Sequence, residues 1–137
     1  MNPNIIKQLI NKDIRIIGVL ISLLISCFTI LNPSLPNDDA YAYIRIAEIA
    51  LNEGVNASWQ YYSWATYSLL IAFISKLGID LITAAHILNA FCLSLLVFSY
   101  ISIVSFLDTS KPISILAVIC ILLFPSLNEF RFDIIRD

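Results

Sequence analysis

The chain has 137 residues, 59% of them hydrophobic and 13% charged, with a formal net charge of -2 and a mean hydropathy of +0.86. That composition points to a membrane protein rather than a soluble domain. So small a net charge gives no electrostatic case for nucleic acid or an acidic surface partner. Cys27, Cys92 and Cys120 all lie inside apolar runs, with neither disulfide-framework nor zinc-ligand spacing.

The first apolar run covers residues 16–31, IIGVLISLLISCFTIL, with Arg15 at its start able to snorkel to the interface. At about 1.5 Å per residue it is short for a hydrocarbon core of roughly 30 Å, yet it spans with help from its flanks. A cleavable signal peptide is the competing reading, with Lys7, Lys12 and Arg15 as the basic region and Ala40-Tyr41-Ala42 as the cleavage site. Against it, the triplet lies far beyond the apolar run and further apolar runs follow.

Residues 32–37, NPSLPN, carry two prolines and cannot continue the helix. A helical pattern resumes over 38–54, where Tyr41, Ile44, Ala47, Ile49 and Leu51 make an apolar face and Gly54 a C-terminal stop. This reads as a juxtamembrane amphipathic helix, with Asp38 as N-cap and Asp39 favoured by the helix dipole. Residues 59–78, WQYYSWATYSLLIAFISKLG, begin with aromatics and hold only a short apolar stretch, so they read as interfacial or re-entrant rather than spanning.

The second span covers 81–107, interrupted only by His86, Asn89 and small hydroxyl residues. DTSKP follows at 108–112, with Ser110 expected to cap the next helix and Pro112 in its first turn. The third span is 113–127, and NEFRFDIIRD, 128–137, forms an outer segment.

Lys7, Lys12 and Arg15 precede the first span, whereas Asp38, Asp39, Glu48 and Glu53 outnumber Arg45 after it. The positive-inside rule therefore puts the N-terminus in the cytoplasm and Asp38-Asp39 outside. If 64–76 spans, there are four crossings and the terminal segment lies opposite Asp39; if it stays at the interface, there are three and both acidic segments face outward. Lys76 favours four and Lys111 favours three, while length favours three.

Asp38 and Asp39 at a membrane edge suit a general base or a divalent-cation ligand; a plain helix start is the alternative. On a helix Glu129, Asp133 and Asp137 would form a carboxylate stripe with Arg136 beside it, against a solvated interfacial turn as the simpler reading. His86 reads as a core histidine bonded to a neighbouring helix, and the short sequon Asn56-Ala57-Ser58 carries little weight.

An N-terminal span, the loop DDAYAYIRIAEIALNEG, an aromatic-rich half-hydrophobic helix and spans ending near RD together resemble the N-terminal part of GT-C membrane glycosyltransferases. These include protein O-mannosyltransferases and the lipid A aminoarabinose transferase. The match rests on the acidic pair after the first span, Tyr43 four residues on, and the later Leu51 and Gly54. The resemblance implies an all-α integral membrane fold: an N-terminal GT-C helical bundle fragment with three (or four) transmembrane helices and juxtamembrane helices in the first outer loop. It implies that Asp39 is the catalytic aspartate and Asp137 the second outer-loop acid, with Asp38, Tyr43, Arg45 and Arg136 on substrate. No cofactor is required for certain, and Asp39 and Asp137 are the candidates for a divalent metal ion.

The reaction so implied moves a sugar, with inversion, from a polyprenyl-phosphate donor to a lipid, glycan or protein acceptor at the outer face of a bacterial cytoplasmic membrane. A phosphate leaving group needs little protonation, so one base and cationic groups for the phosphate suffice. Two features depart from the family: YYSWATY stands where many members have prolines, and members are several times longer, so the chain reads as a fragment. The rival reading is a non-catalytic helical membrane protein, either an assembly subunit or an inactive remnant. A transporter is disfavoured because His86 is the only ionisable residue within the spans.

Overall fold

The computed structural model describes residues 13–31 and 38–134, and among these the regular elements are all helices. They are α1, Ile14–Leu31; α2, Asp38–Asn52; α3, Val55–Tyr61; α4, Thr66–Ser75; α5, Leu81–Leu107; α6, Lys111–Leu123; and α7, Pro125–Phe132. Helices α1 and α5 are each long and apolar enough to cross a membrane, and α6 with α7 makes a third when that bent pair is one span. The molecule thus has the all-helical build of a membrane protein.

Helix α1 buries small and polar residues and exposes large apolar ones. On α1 the inward positions are Gly18, Ser22, Ser26 and Thr29, while Leu24 is 71% and Phe28 64% exposed. Lipid tails are as apolar as leucine, so nothing drives large side chains inward, whereas small residues let two backbones approach. A Cβ added at Gly18 would stand 2.5 Å from Ile101 Cδ1. Helices α1 and α5 run antiparallel, with the Arg15 guanidinium 5.5 Å from the Phe98 ring centroid near the start of α1. Leu93, Val97 and Ile101 of α5 pack there with Val118 and Leu122 of α6 and Leu127 of α7.

The third apolar run is not a single helix over 113–127. Phe124, at φ -65° and ψ 117°, leaves the helical region because the ring of Pro125 crowds the residue before it. Helix α7 departs at 47° and reaches Phe132. The break interrupts the backbone hydrogen-bond ladder at the end of α6. There Asn128 Nδ2 donates to Leu122 O at 2.9 Å and to Phe124 O at 3.3 Å. Asp133 is already extended, with ψ 144°, so Glu129 and Asp133 do not share a helical stripe, and Asp137 lies outside the described residues.

The 59–78 segment is also two pieces, because Tyr62 is extended at φ -149° and ψ 118° between α3 and α4. At ten residues, α4 is about 15 Å long and too short to cross. Its Ile71 and Ala72 join Ala40 and Ala47 of α2, Ala84, Ala85 and Leu88 of α5, and Ile134 in one core cluster. The buried side of α2 is therefore Ala40, Ile46, Ala47 and Ile49. Tyr41 and Leu51, expected on the apolar face, are exposed, because alanines permit the close approach to α4 that a tyrosine would block.

Gly54 and Gly78 take φ of +97° and +86° in the turns after α2 and α4, a region costly for residues with a Cβ. Asp38 is already helical, so it belongs to the first turn of α2 rather than to its cap. Ser110 holds the cap position of α6 without a side-chain cap bond. The turn is ordered instead by Asp108 Oδ1, which accepts from Ser110 N at 2.7 Å.

Candidate functional site

Helices α2 and α4, the start of α5 and the end of α7 meet at one end of the bundle. Asp38 and Asp39 are exposed there, while the adjacent Ala40 is fully buried. Packing of Ala40 thus anchors the first turn of α2 and leaves both carboxylates on the open side. One turn on, half-buried Tyr43 meets Tyr67 of α4 edge to face, with ring centroids 5.2 Å apart and an interplanar angle of 81°. The Tyr67 hydroxyl donates to Asn89 Oδ1 at 2.8 Å, and Asn89 Nδ2 donates to Asp133 O at 2.7 Å.

A continuous chain of contacts therefore links the acid-bearing helix to the segment after α7. Ile134 shares a core cluster with Ala40, so this segment and the first turn of α2 belong to the same end. Arg136 and Asp137 lie outside the described residues. Arg45 extends from the exposed side of α2 and donates to Glu48 Oε2 at 3.0 Å, one turn along the same helix. Glu129 is exposed on α7. Among the described residues no three His, Cys, Asp or Glu side chains are grouped to hold a metal ion; a metal there would need Asp39 and a ligand from elsewhere.

Below this end lies a buried arginine that the sequence reading did not single out. Arg131 of α7 is 1% exposed, and its guanidinium is threaded onto α1. Its Nη1 donates to Ser22 O at 3.1 Å and Ser26 Oγ at 2.5 Å, and its Nη2 to Ser22 Oγ at 3.0 Å. Its Nε donates to Asn128 Oδ1 at 3.0 Å. Among the described residues no carboxylate pairs with it; the ion pairs are Arg15 with Asp13 and Arg45 with Glu48. A planar fork of donors can engage a carbonyl and two hydroxyls at once, which a lysine ammonium cannot do in the same geometry. One sequence signal was available: Ser22 and Ser26 sit one turn apart inside an apolar run, a spacing that puts two hydroxyls on one face.

His86, 3% exposed on α5, faces the backbone of Arg131, in keeping with a core histidine beside another helix. Its Nδ1, with Ser68 Oγ and Ser94 Oγ, is buried without a hydrogen-bond partner. Cys27, Cys92 and Cys120 are free thiols on the outer surface of the helices. Asn56 is exposed on α3, and the Ser58 hydroxyl is turned inward to donate to Val55 O at 2.7 Å.

No family model, curated protein or solved structure matches the chain.

Proposed function

We propose that the chain is part of a membrane glycosyltransferase that moves a sugar from a polyprenyl-phosphate donor to a lipid, glycan or protein acceptor at the outer membrane face. Asp39 is the proposed base that deprotonates the acceptor hydroxyl, with Asp38 beside it; Asp137 supports it or shares a metal ion. Arg45 or Arg136 receives the phosphate charge, and Tyr43 orients the substrate. The observation that carries this reading is the convergence of the first turn of α2 with the segment after α7, through Ala40, Ile134 and the Tyr67–Asn89–Asp133 hydrogen bonds. A membrane-edge acid suits a donor whose phosphate sits at the interface while its tail stays in lipid. The proposed orientation puts the N-terminus in the cytoplasm of a bacterial inner membrane.

Asp39→Asn at the gene's own locus tests the base directly. Sugar transfer in membranes from such cells is expected to fall by about two to four orders of magnitude, the usual contribution of a general base. Transfer within about threefold of the parent would remove Asp39 from that role.

A second reading has a specific observation behind it. The hydrogen bonds of the Arg131 guanidinium join α7 to α1 or stay within α7, which is the use of polar groups as glue between membrane helices. A non-catalytic assembly subunit would need nothing more, and it would leave Asp39→Asn silent.

A further inference from the structure

At the opposite end from the acids, the start of α1 stands apart from the α5–α6 turn and leaves a cavity of about 700 Å³. Arg15 and Lys111 contribute two cations to its wall and Asp13 one carboxylate. Asp13 is committed to Arg15, whose Nε donates to both carboxylate oxygens at 2.7 Å, and that hydrogen bond holds the Asp13 carboxyl below its ordinary range. Lys111 is exposed and has no ion pair among the described residues. The wall thus keeps one positive charge in excess, at the first residue of α6, where the helix dipole adds to it.

The rest of the wall has two chemistries. Ser105 and Thr109 bring hydroxyls, whereas Ile17, Phe106 and Ile115 make an apolar side. Phe106 is 87% exposed, an arrangement suited to lipid rather than water. We infer that this gap between α1 and the α5–α6 turn is a binding site for one anionic glycerophospholipid, its phosphate at Lys111 and an acyl chain along Ile17 and Phe106. A water-soluble phosphate would leave the apolar side uncovered, while a zwitterionic headgroup would bring its own cation toward Lys111. Basic pockets between helices at a cytoplasmic face select anionic headgroups in this way. The inference does not depend on the proposed transfer reaction, which concerns the other end of the bundle.

The test is native mass spectrometry of the whole chain released from detergent with dioleoylphosphatidylglycerol or dioleoylphosphatidylcholine. One retained phosphatidylglycerol is expected, with phosphatidylcholine held several times more weakly. Lys111→Gln should lower phosphatidylglycerol occupancy about fivefold, the factor set by about 1 kcal/mol per lysine at an anionic surface. Lys111→Arg should restore it, and Lys76→Gln, at the far end, should leave it unchanged. Equal retention of the two lipids, or full retention in Lys111→Gln, overturns the site. Glycerol phosphate competing as well as the intact lipid would overturn the lipid assignment, since the apolar side would then contribute nothing.

Discussion

At the scale of single residues, Arg131 presents the sharpest energetic problem. A guanidinium held among membrane helices is expensive, and here it is offset by hydrogen bonds from Nε, from Nη1 twice and from Nη2 rather than by a counter-charge. Arg131→Lys should lower stability by about 1–2 kcal/mol, because a single ammonium cannot span Ser22 and Ser26 as the fork does. Combining Ser26→Ala with Arg131→Met should reveal a coupling of about 1 kcal/mol, typical of interhelical hydrogen bonds in bilayers. Reversible unfolding in mixed micelles measures both, and strictly additive effects would mean that the Ser26 bond contributes nothing.

A second residue-scale effect concerns pH. Asp80 Oδ1 accepts from Thr83 N at 2.9 Å at the start of α5, and the hydrogen bonds with Thr83 hold its carboxyl below the usual range. A pKa depressed on folding adds stability above the unfolded value, near about 3.9, and that stability is lost as pH falls through the folded value. Asp80→Asn should therefore flatten the acid limb of the stability curve below about pH 4 while keeping most of the cap near neutrality. An unchanged acid limb would show that other carboxylates set it.

At the scale of elements, α1 packs tightly against α5 at Gly18, where an added Cβ would stand 2.5 Å from Ile101 Cδ1. Gly18→Ala should destabilise by about 1 kcal/mol, because Ile101 must leave its rotamer to admit the new methyl. Ile101→Val deletes the colliding Cδ1, so in that background the same substitution should be close to neutral. A penalty unchanged by Ile101→Val would show that the strain lies in backbone separation rather than in one methyl. The α6–α7 bend has its own support: Asn128→Leu should cost about 1–3 kcal/mol by leaving the Leu122 carbonyl without its donor. The same unfolding assay reads it.

At the scale of the whole molecule, Ala40 and Ile134 share one core cluster, so the first turn of α2 and the segment after α7 belong together. With the proposed outward orientation, alkaline phosphatase fused after Asn56 or after Asp137 should be active in a bacterial host in both cases. Activity of the Asn56 fusion alone would put the acidic segments on opposite sides and end the two-acid site.

The sequence by itself determined the membrane class, the positions of α1 and α5, and the stop at Gly54, while it left three or four crossings open at 64–76. Each follows from local quantities: the length of an apolar run, a proline, a glycine. Asp39 could be nominated from the sequence, but its neighbours could not. Only the tertiary structure decided which face of α1 turns inward, that Tyr43 meets Tyr67, and that Arg131 reaches Ser22 across 109 positions of chain. The physical reason lies in the solvent. In lipid a leucine gains little by burial, so apolar periodicity does not report the interior. The interior is chosen instead by where small residues allow close approach and where polar groups, costly to leave alone, find one another.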